Sequence, residues 1–312
     1  MGFDRPSAAD MYWQETLGSL LAVGNVLERS ASAVAVVPPR QEPTIFVRDI
    51  DDESLAVIER HAGLAVHLLH PASLQRVGEI AAERILITSA EAMDPAPLYG
   101  LDPAVRSLWL NGMPLRTRSL RLESLGALEE LSVAWGMVDP ETQIGPRLAT
   151  LSFLDGGPPA LSAVPASESL RAIAISRTAM VNLSGLDRFP NLAALEIAVA
   201  PGLRDLEGLS IARALESLEL CRVPLSSGLT QVGALSMLHV LAIPDVGKVP
   251  TLGPLRGHQA LRTVHAYGTT NIVDGDLTPL LEMPHLRQLA IADRRHYRPR
   301  AVEVKRRLGI EE

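Results

Sequence analysis

Glu196 and Glu219 occupy the middle of two apolar-x-apolar couplets, Leu195-Glu196-Ile197 and Leu218-Glu219-Leu220. Placed on neighbouring strands, they would lie one above the other at a spacing of about 4.8 Å. Two carboxylates so stacked repel each other and favour a cationic partner. Paired carboxylates can also do general acid–base work. No nucleophile or metal-ligand set accompanies this pair, so a solvated or partner-binding role is expected. His67 and His70 are three residues apart, but in and just after a strand rather than on one helical face, which is a poor metal arrangement. Asp49, Asp51 and Asp52 are more simply helix-capping acids. Cys221 is the single cysteine. It excludes an intramolecular disulfide, and with no base implied beside it the thiol reads as a small buried or semi-exposed group. No P-loop, GxGxxG, HExxH or GxSxG occurs. No catalytic site, metal or cofactor is therefore expected.

The elements that position these residues are repeats. Twelve such couplets end at Val47, Leu68, Ile87, Leu110, Val133, Phe153, Ile175, Ile197, Leu220, Ile243, Ala266 and Ile291. Their spacing averages about 22 residues, the signature of stacked structural units. The 312-residue chain is 47% hydrophobic but only 4% aromatic, so its core must be thin layers of Leu, Ile, Val and Ala. A net charge of −7 argues against broad attraction to nucleic acid or an anionic membrane. The N-terminus lacks a basic segment followed by an apolar run, and no stretch reaches the length of a membrane span. A soluble, cytoplasmic protein is expected.

Along the chain, Met11 to Arg29 carries apolar side chains at Met11, Trp13, Leu17, Leu20, Leu21, Val23 and Val26, with Asp10 as N-cap, which predicts an amphipathic helix. Residues 1–43 are expected to be this helical cap and a proline-containing connector. Residues 44–292 form the repeat array. Its first part, 44–104, reads as degenerate strand–helix units, with helices over 52–61 and 71–83; 105–292 is clearer. The basic stretch 293–312 reads as a C-terminal cap, with a short helix using Val302, Val304 and Leu308. A different division makes residues up to about 100 a separate α/β unit, its boundary near 95–103.

The clearest unit runs Leu183, Leu186, Phe189, Leu192, Leu195, Ile197, Leu203 and Leu206. It resembles the 22-residue leucine-rich repeat of the bacterial internalin-like class. The frame recurs at Leu122, Leu125, Leu128, Leu131 and Val133, at Leu235, Leu238, Leu241 and Ile243, and at Met283, Leu286, Leu289 and Ile291. The resemblance implies an α/β solenoid: a leucine-rich-repeat horseshoe or arc of about twelve coils, with a parallel β-sheet on the concave face and helical or irregular segments on the convex face. The family places a hydrogen-bonding asparagine three residues after the couplet. Here that position holds Met113, Gly136, Gly156, Thr178, Ala200, Val223, Val246, Thr269 and Arg294, so other groups must satisfy the turns.

Side chains alternate along a strand, so residues between and just after the couplet members face outward. These outward positions begin with Phe46 and His67, and most of them are small or apolar. Exposed aromatics are efficient anchors. The expected partner-binding set is Trp109, Asn111, Trp135, Glu196, Glu219, His265 and Tyr267. The alternative for either Trp is packing beneath a loop or cap. The resemblance implies a non-enzymatic scaffold that binds a protein or peptide on this face, with no nucleic acid or membrane partner. Two alternatives stand beside it: an inhibitor or immunity protein that blocks a toxic enzyme, and an enzyme or enzyme accessory with an N-terminal α/β unit.

Overall fold

The computed structural model describes residues 25–37, 42–71, 73–89, 92, 94–112, 120–154 and 156–310. The chain divides into two compact units, Met1–Leu148 and Ala149–Glu312. In the first, strands β1 (Asn25–Arg29), β2 (Ala33–Val37), β3 (Thr44–Val47), β4 (Ala65–Leu69), β5 (Arg84–Thr88), β6 (Ser107–Asn111) and β7 (Glu130–Ser132) lie side by side in chain order. β1, β2 and β3 are antiparallel neighbours. From β3 to β7 every pairing is parallel. β5 pairs directly with β6, so the sheet runs unbroken across the 95–103 boundary of the two-domain alternative.

Helix α1 (Asp52–Arg60) starts where the sequence supplies a cap. The Asp51 carboxylate accepts from Ser54 N at 2.8 Å, and Ser54 Oγ accepts from Asp51 N at 3.0 Å. Burial alone would raise the Asp51 carboxyl, but the hydrogen bonds from Ser54 and Ser32 outweigh it and hold its pKa below the ordinary value. Glu28 of β1 binds Arg60 and His61 at the other end of α1, with His61 Nε2 2.9 Å away. Glu28 is in register with Ala35, and Ala35 with Ile45. Helix α1 therefore lies on the sheet face carrying Ala35, Ile45 and Val47.

The second unit repeats one coil. Strands β8 (Thr150–Phe153), β9 (Ala172–Ser176), β10 (Ala194–Ala198), β11 (Ser217–Cys221), β12 (Val240–Ala242), β14 (Thr263–Ala266) and β16 (Gln288–Ile291) form a parallel ladder. β13 (Lys248–Val249) and β15 (Asn271–Ile272) make a separate two-stranded pairing. Both couplet members of every main-ladder strand are buried, from Leu151 and Phe153 to Leu289 and Ile291. The return segments add Leu183, Leu186, Phe189 and Leu192 to the same layer. Short turns replace long helices there: α2 (Thr230–Gly233) and α3 (Thr278–Leu281) have four residues each.

The missing asparagines are replaced by backbone geometry. Two residues after the couplet, His70, Gly112, Arg177, Val199, Arg222, Asp245 and Gly268 all have positive φ. This left-handed turn aims the residue's N–H at the next coil and extends the ladder one rung past the strand. Arg177 N donates to Ala198 O and Val199 N to Cys221 O, both at 2.9 Å. Hydroxyls take over where a side chain is needed. Thr270 Oγ1 donates to Ile243 O at 2.6 Å and accepts from Val246 N at 3.3 Å; Thr178 does the same between Pro158 O and Met180 N. His258, nearly buried, accepts Ala260 N and Leu261 N at Nδ1, so its Nε2 carries the proton and donates to Leu235 O at 3.0 Å.

Several expected elements differ. Residues 25–29 are strand rather than the end of a helix, and 33–37 are strand rather than connector. The run Ala33-Val34-Ala35-Val36-Val37 favours a pleated surface, and Ser30 closes the hairpin by accepting Ala33 N at Oγ. The rest of the helix expected from Met11 lies outside the described residues. The helix expected over 71–83 is a single 3-10 turn, Val77–Glu79. It packs on the turn Ala96–Gly100 so closely that a Cβ at Gly78 would sit 2.4 Å from Gly100 O. At the C-terminus helix α4 (Ala301–Leu308) forms, but it buries Ala301 and Val304 while Val302 points to solvent. Tyr297, not expected in the core, is fully buried, and its hydroxyl accepts Ile272 N at 3.0 Å. Among the described residues no helix is long and apolar enough to cross a membrane.

Candidate functional site

Residues alternating with the buried couplets make the open face of each ladder. In the second unit Glu196 and Glu219 are register partners on β10 and β11. Ala174 flanks Glu196, and Ala242 flanks Glu219. Ala242 is in turn opposite His265, and His265 opposite Ala290. Glu196 is exposed and Glu219 half-buried. Burial and the neighbouring Glu219 carboxylate raise the Glu196 pKa above its ordinary value. Among the described residues neither carboxylate has a basic partner within ion-pair distance. Among the described residues they are the only carboxylates on the strand positions of this face, and His265 is its one basic group.

His265 and Tyr267 stand together one strand beyond Ala242, their ring centroids 6.3 Å apart and tilted by 54°. Tyr267 is 47% exposed, an uncommon state for so large an apolar ring. Between this pair and the glutamates, Ala242 and Pro244 are buried and present a low, apolar floor. Cys221 lies at the end of β11, and burial pushes its thiol pKa up. A thiol so held is protonated and a poor nucleophile. Among the described residues no cluster of His, Cys, Asp and Glu could hold a metal ion.

The other expected site residues fall in the first unit. Trp109 is central on β6, in register with Leu86 and Ser132. It is half-buried, and its indole Nε1 is buried without a hydrogen-bond partner among the described residues. Asn111 ends the same strand, and its carbonyl accepts Ser89 N at 3.3 Å. Trp135 is not on the sheet but opens the 3-10 turn Trp135–Met137, half-buried. Phe46 and His67, expected to face outward into an open trough, do not. Phe46 is 8% exposed and clusters with buried Val34, Val36 and Leu69. His67 stacks against it at 5.4 Å, and its Nε2 meets Thr88 Oγ1 at 2.9 Å. Burial, helped by His70, pushes its pKa down to about 4. The sequence could not show this, because an outward parity says which face a side chain takes and not what lies on that face.

The coil geometry has clear counterparts among solved structures. An internalin from Listeria monocytogenes is similar at a TM-score of 0.50 and 15% identity, over 79% of this chain and 73% of that one. A leucine-rich-repeat protein of Leptospira interrogans matches at 0.50 and 14%, over 80% and 71%. A chain of the Toll–Spatzle complex of Drosophila matches at 0.52 and 10%, over 94% and 43%. The fold is a leucine-rich-repeat solenoid. No family model matches the sequence, and no curated protein matches it. At these identities the likeness is one of fold, and a leucine-rich-repeat fold sets out a strand ladder whose open face is free to vary. Here that face is small and apolar in the second unit, with two carboxylates and one aromatic pair as its distinctive groups.

Proposed function

We propose that this chain is a non-enzymatic scaffold that binds a protein or peptide on the open face of its second unit. The observation that carries this reading is the pairing of the unneutralised Glu196 and Glu219 with exposed Tyr267 across a floor of small side chains. A sheet face without long side chains lets a partner's backbone or helix approach closely. Tyr267 supplies buried area at low entropic cost. The two carboxylates select a Lys or Arg on the partner, because a cation relieves their repulsion. The Toll–Spatzle chain, which shares the fold, is part of a protein complex, and this supports a protein partner as a class. The single cysteine with a raised pKa suits a reducing, cytoplasmic setting. Trp109, Asn111 and Trp135 are a second, first-unit surface in this proposal.

Affinity capture from host lysate tests it, comparing the wild-type chain with Glu196→Lys and Tyr267→Ala variants. A protein retained by wild type and lost by both, with unfolding curves unchanged, supports the reading. Equal capture by all three moves the site off this face.

A further inference from the structure

Two large apolar side chains stand exposed on the open face of the second unit, and they mark its two ends. Leu154 directly follows the buried Phe153 of β8 and is 39% exposed. Tyr267 directly follows the buried Ala266 of β14. Both occupy the same repeat position, five strand steps apart in the ladder, which is about 24 Å at a spacing of about 4.8 Å. On the strands between them that position holds Ser176, Ala198, Cys221 and Pro244. Among the described residues the other exposed large apolar groups of this unit, such as Val181, Ile211 and Met237, lie off the main ladder. The row is thus a low floor between two raised ends. A second row, two residues back along each strand, carries Glu196 and Glu219 at its middle.

The ladder decides the form of what fits here. Main-chain groups of β9 to β12 are engaged by the neighbouring strands, so a segment laid across them finds no backbone to pair with. An extended peptide would press unpaired N–H and C=O groups onto Ala198 and Pro244, which is costly. A helix satisfies its own backbone and presents side chains alone.

We infer that the partner segment is an amphipathic α-helix lying across β8 to β14, with one apolar side chain on Leu154, a second four turns away against Tyr267, and a Lys or Arg midway on Glu196 and Glu219. This rests on the scaffold reading above and names the partner's chemistry. Four turns rise about 22 Å, close to the length of the row. At about 100° per residue, positions i, i+7 and i+14 face the floor within about 40° of one another. The cation belongs at i+6 or i+8, about 100° to one side or the other, according to the direction in which the helix runs. Leu154 is then a second anchor that sets how long the partner helix must be.

Selection of a random display library of peptides about 20 residues long, on the full chain, tests this. Enriched sequences are expected to carry apolar residues at i and i+14 with Lys or Arg at i+6 or i+8. A synthetic enriched peptide is expected to gain helical circular dichroism on binding. Its Kd is expected to rise at least about fivefold for Leu154→Ser, for Tyr267→Ala and for the Glu196→Gln, Glu219→Gln double variant. Ile211→Ser, off this face, is expected to leave the Kd unchanged. Leu154 and Tyr267 are exposed, so their variants keep the fold, and unfolding curves check it. The helix is overturned, and the scaffold reading left standing, by a library that yields no enriched sequence, or by peptides that bind without gaining helix or without the cation. The same holds for a peptide that ignores Leu154→Ser yet is lost by Tyr267→Ala and the glutamate double variant. Affinity unmoved in every open-face variant overturns both.

Discussion

Glu196 and Glu219 face each other across adjacent parallel strands, and among the described residues no basic side chain pairs with either. Burial and the partner carboxylate favour the protonated form of Glu196 in the folded chain. That preference adds stability below the unfolded pKa of about 4.3 and loses it as pH rises through the raised folded value. Glu196→Gln removes the repulsion and is expected to stabilise the chain at pH 7 by about 0.2–1 kcal/mol, the range for a cross-strand pair. The advantage is expected to vanish near pH 4. Urea unfolding at the two pH values measures it, and an equal gain at both would place its origin elsewhere.

Thr270 is expected to be worth far more than its neighbour Thr269. Its hydroxyl bridges Ile243 O and Val246 N in a buried turn, so Thr270→Val leaves both main-chain groups unpaired at a cost of about 1–3 kcal/mol. Thr269 is exposed and contributes only its backbone N–H, to Asp245. Thr269→Ala is expected to stay within about 0.5 kcal/mol. Denaturant midpoints of the two variants decide it.

Val199 pays for its turn. A β-branched residue at φ 56° is strained by about 1–2 kcal/mol, whereas asparagine adopts that region readily. Val199→Asn is expected to raise stability by about 1 kcal/mol, or a few degrees in Tm. A lower Tm would mean that the half-buried valine contributes more by packing than it loses in strain.

His67 is expected to titrate near pH 4 in the folded protein. Its ordinary pKa is about 6.5, so the unfolded chain takes up this proton first. Stability attributable to the neutral ring is complete above pH 6.5 and is lost as pH falls towards 4, by as much as about 3 kcal/mol. Side-chain NMR titration, compared with the stability of His67→Gln over the same range, checks both the value and the sign.

The couplets made the ladder legible because period and burial coincide: each apolar pair named on its own, such as Leu195 and Ile197, is in the core. Glu196 and Glu219 followed from the same register. What escaped was set by partners distant in sequence. Tyr297 reads as part of a basic tail until its hydroxyl is seen to cap Ile272 N. The hairpin of β1 and β2 overrides the helical reading that runs through Val26 to Arg29. Trp135 is expected just beyond its strand; β7 ends at Ser132 and the residue opens a 3-10 turn that the repeat pattern does not announce.

The left-handed residue that follows seven of the couplets has a further consequence for how this protein changes over generations. Histidine, glycine, arginine, valine and aspartate all fill the turn at His70, Gly112, Arg177, Val199, Arg222 and Asp245, because the bond that joins the coils belongs to the main chain. Inheritance of the architecture is thereby separated from inheritance of any one letter. A lineage can replace its signature residues coil by coil while the ladder beneath them stays intact.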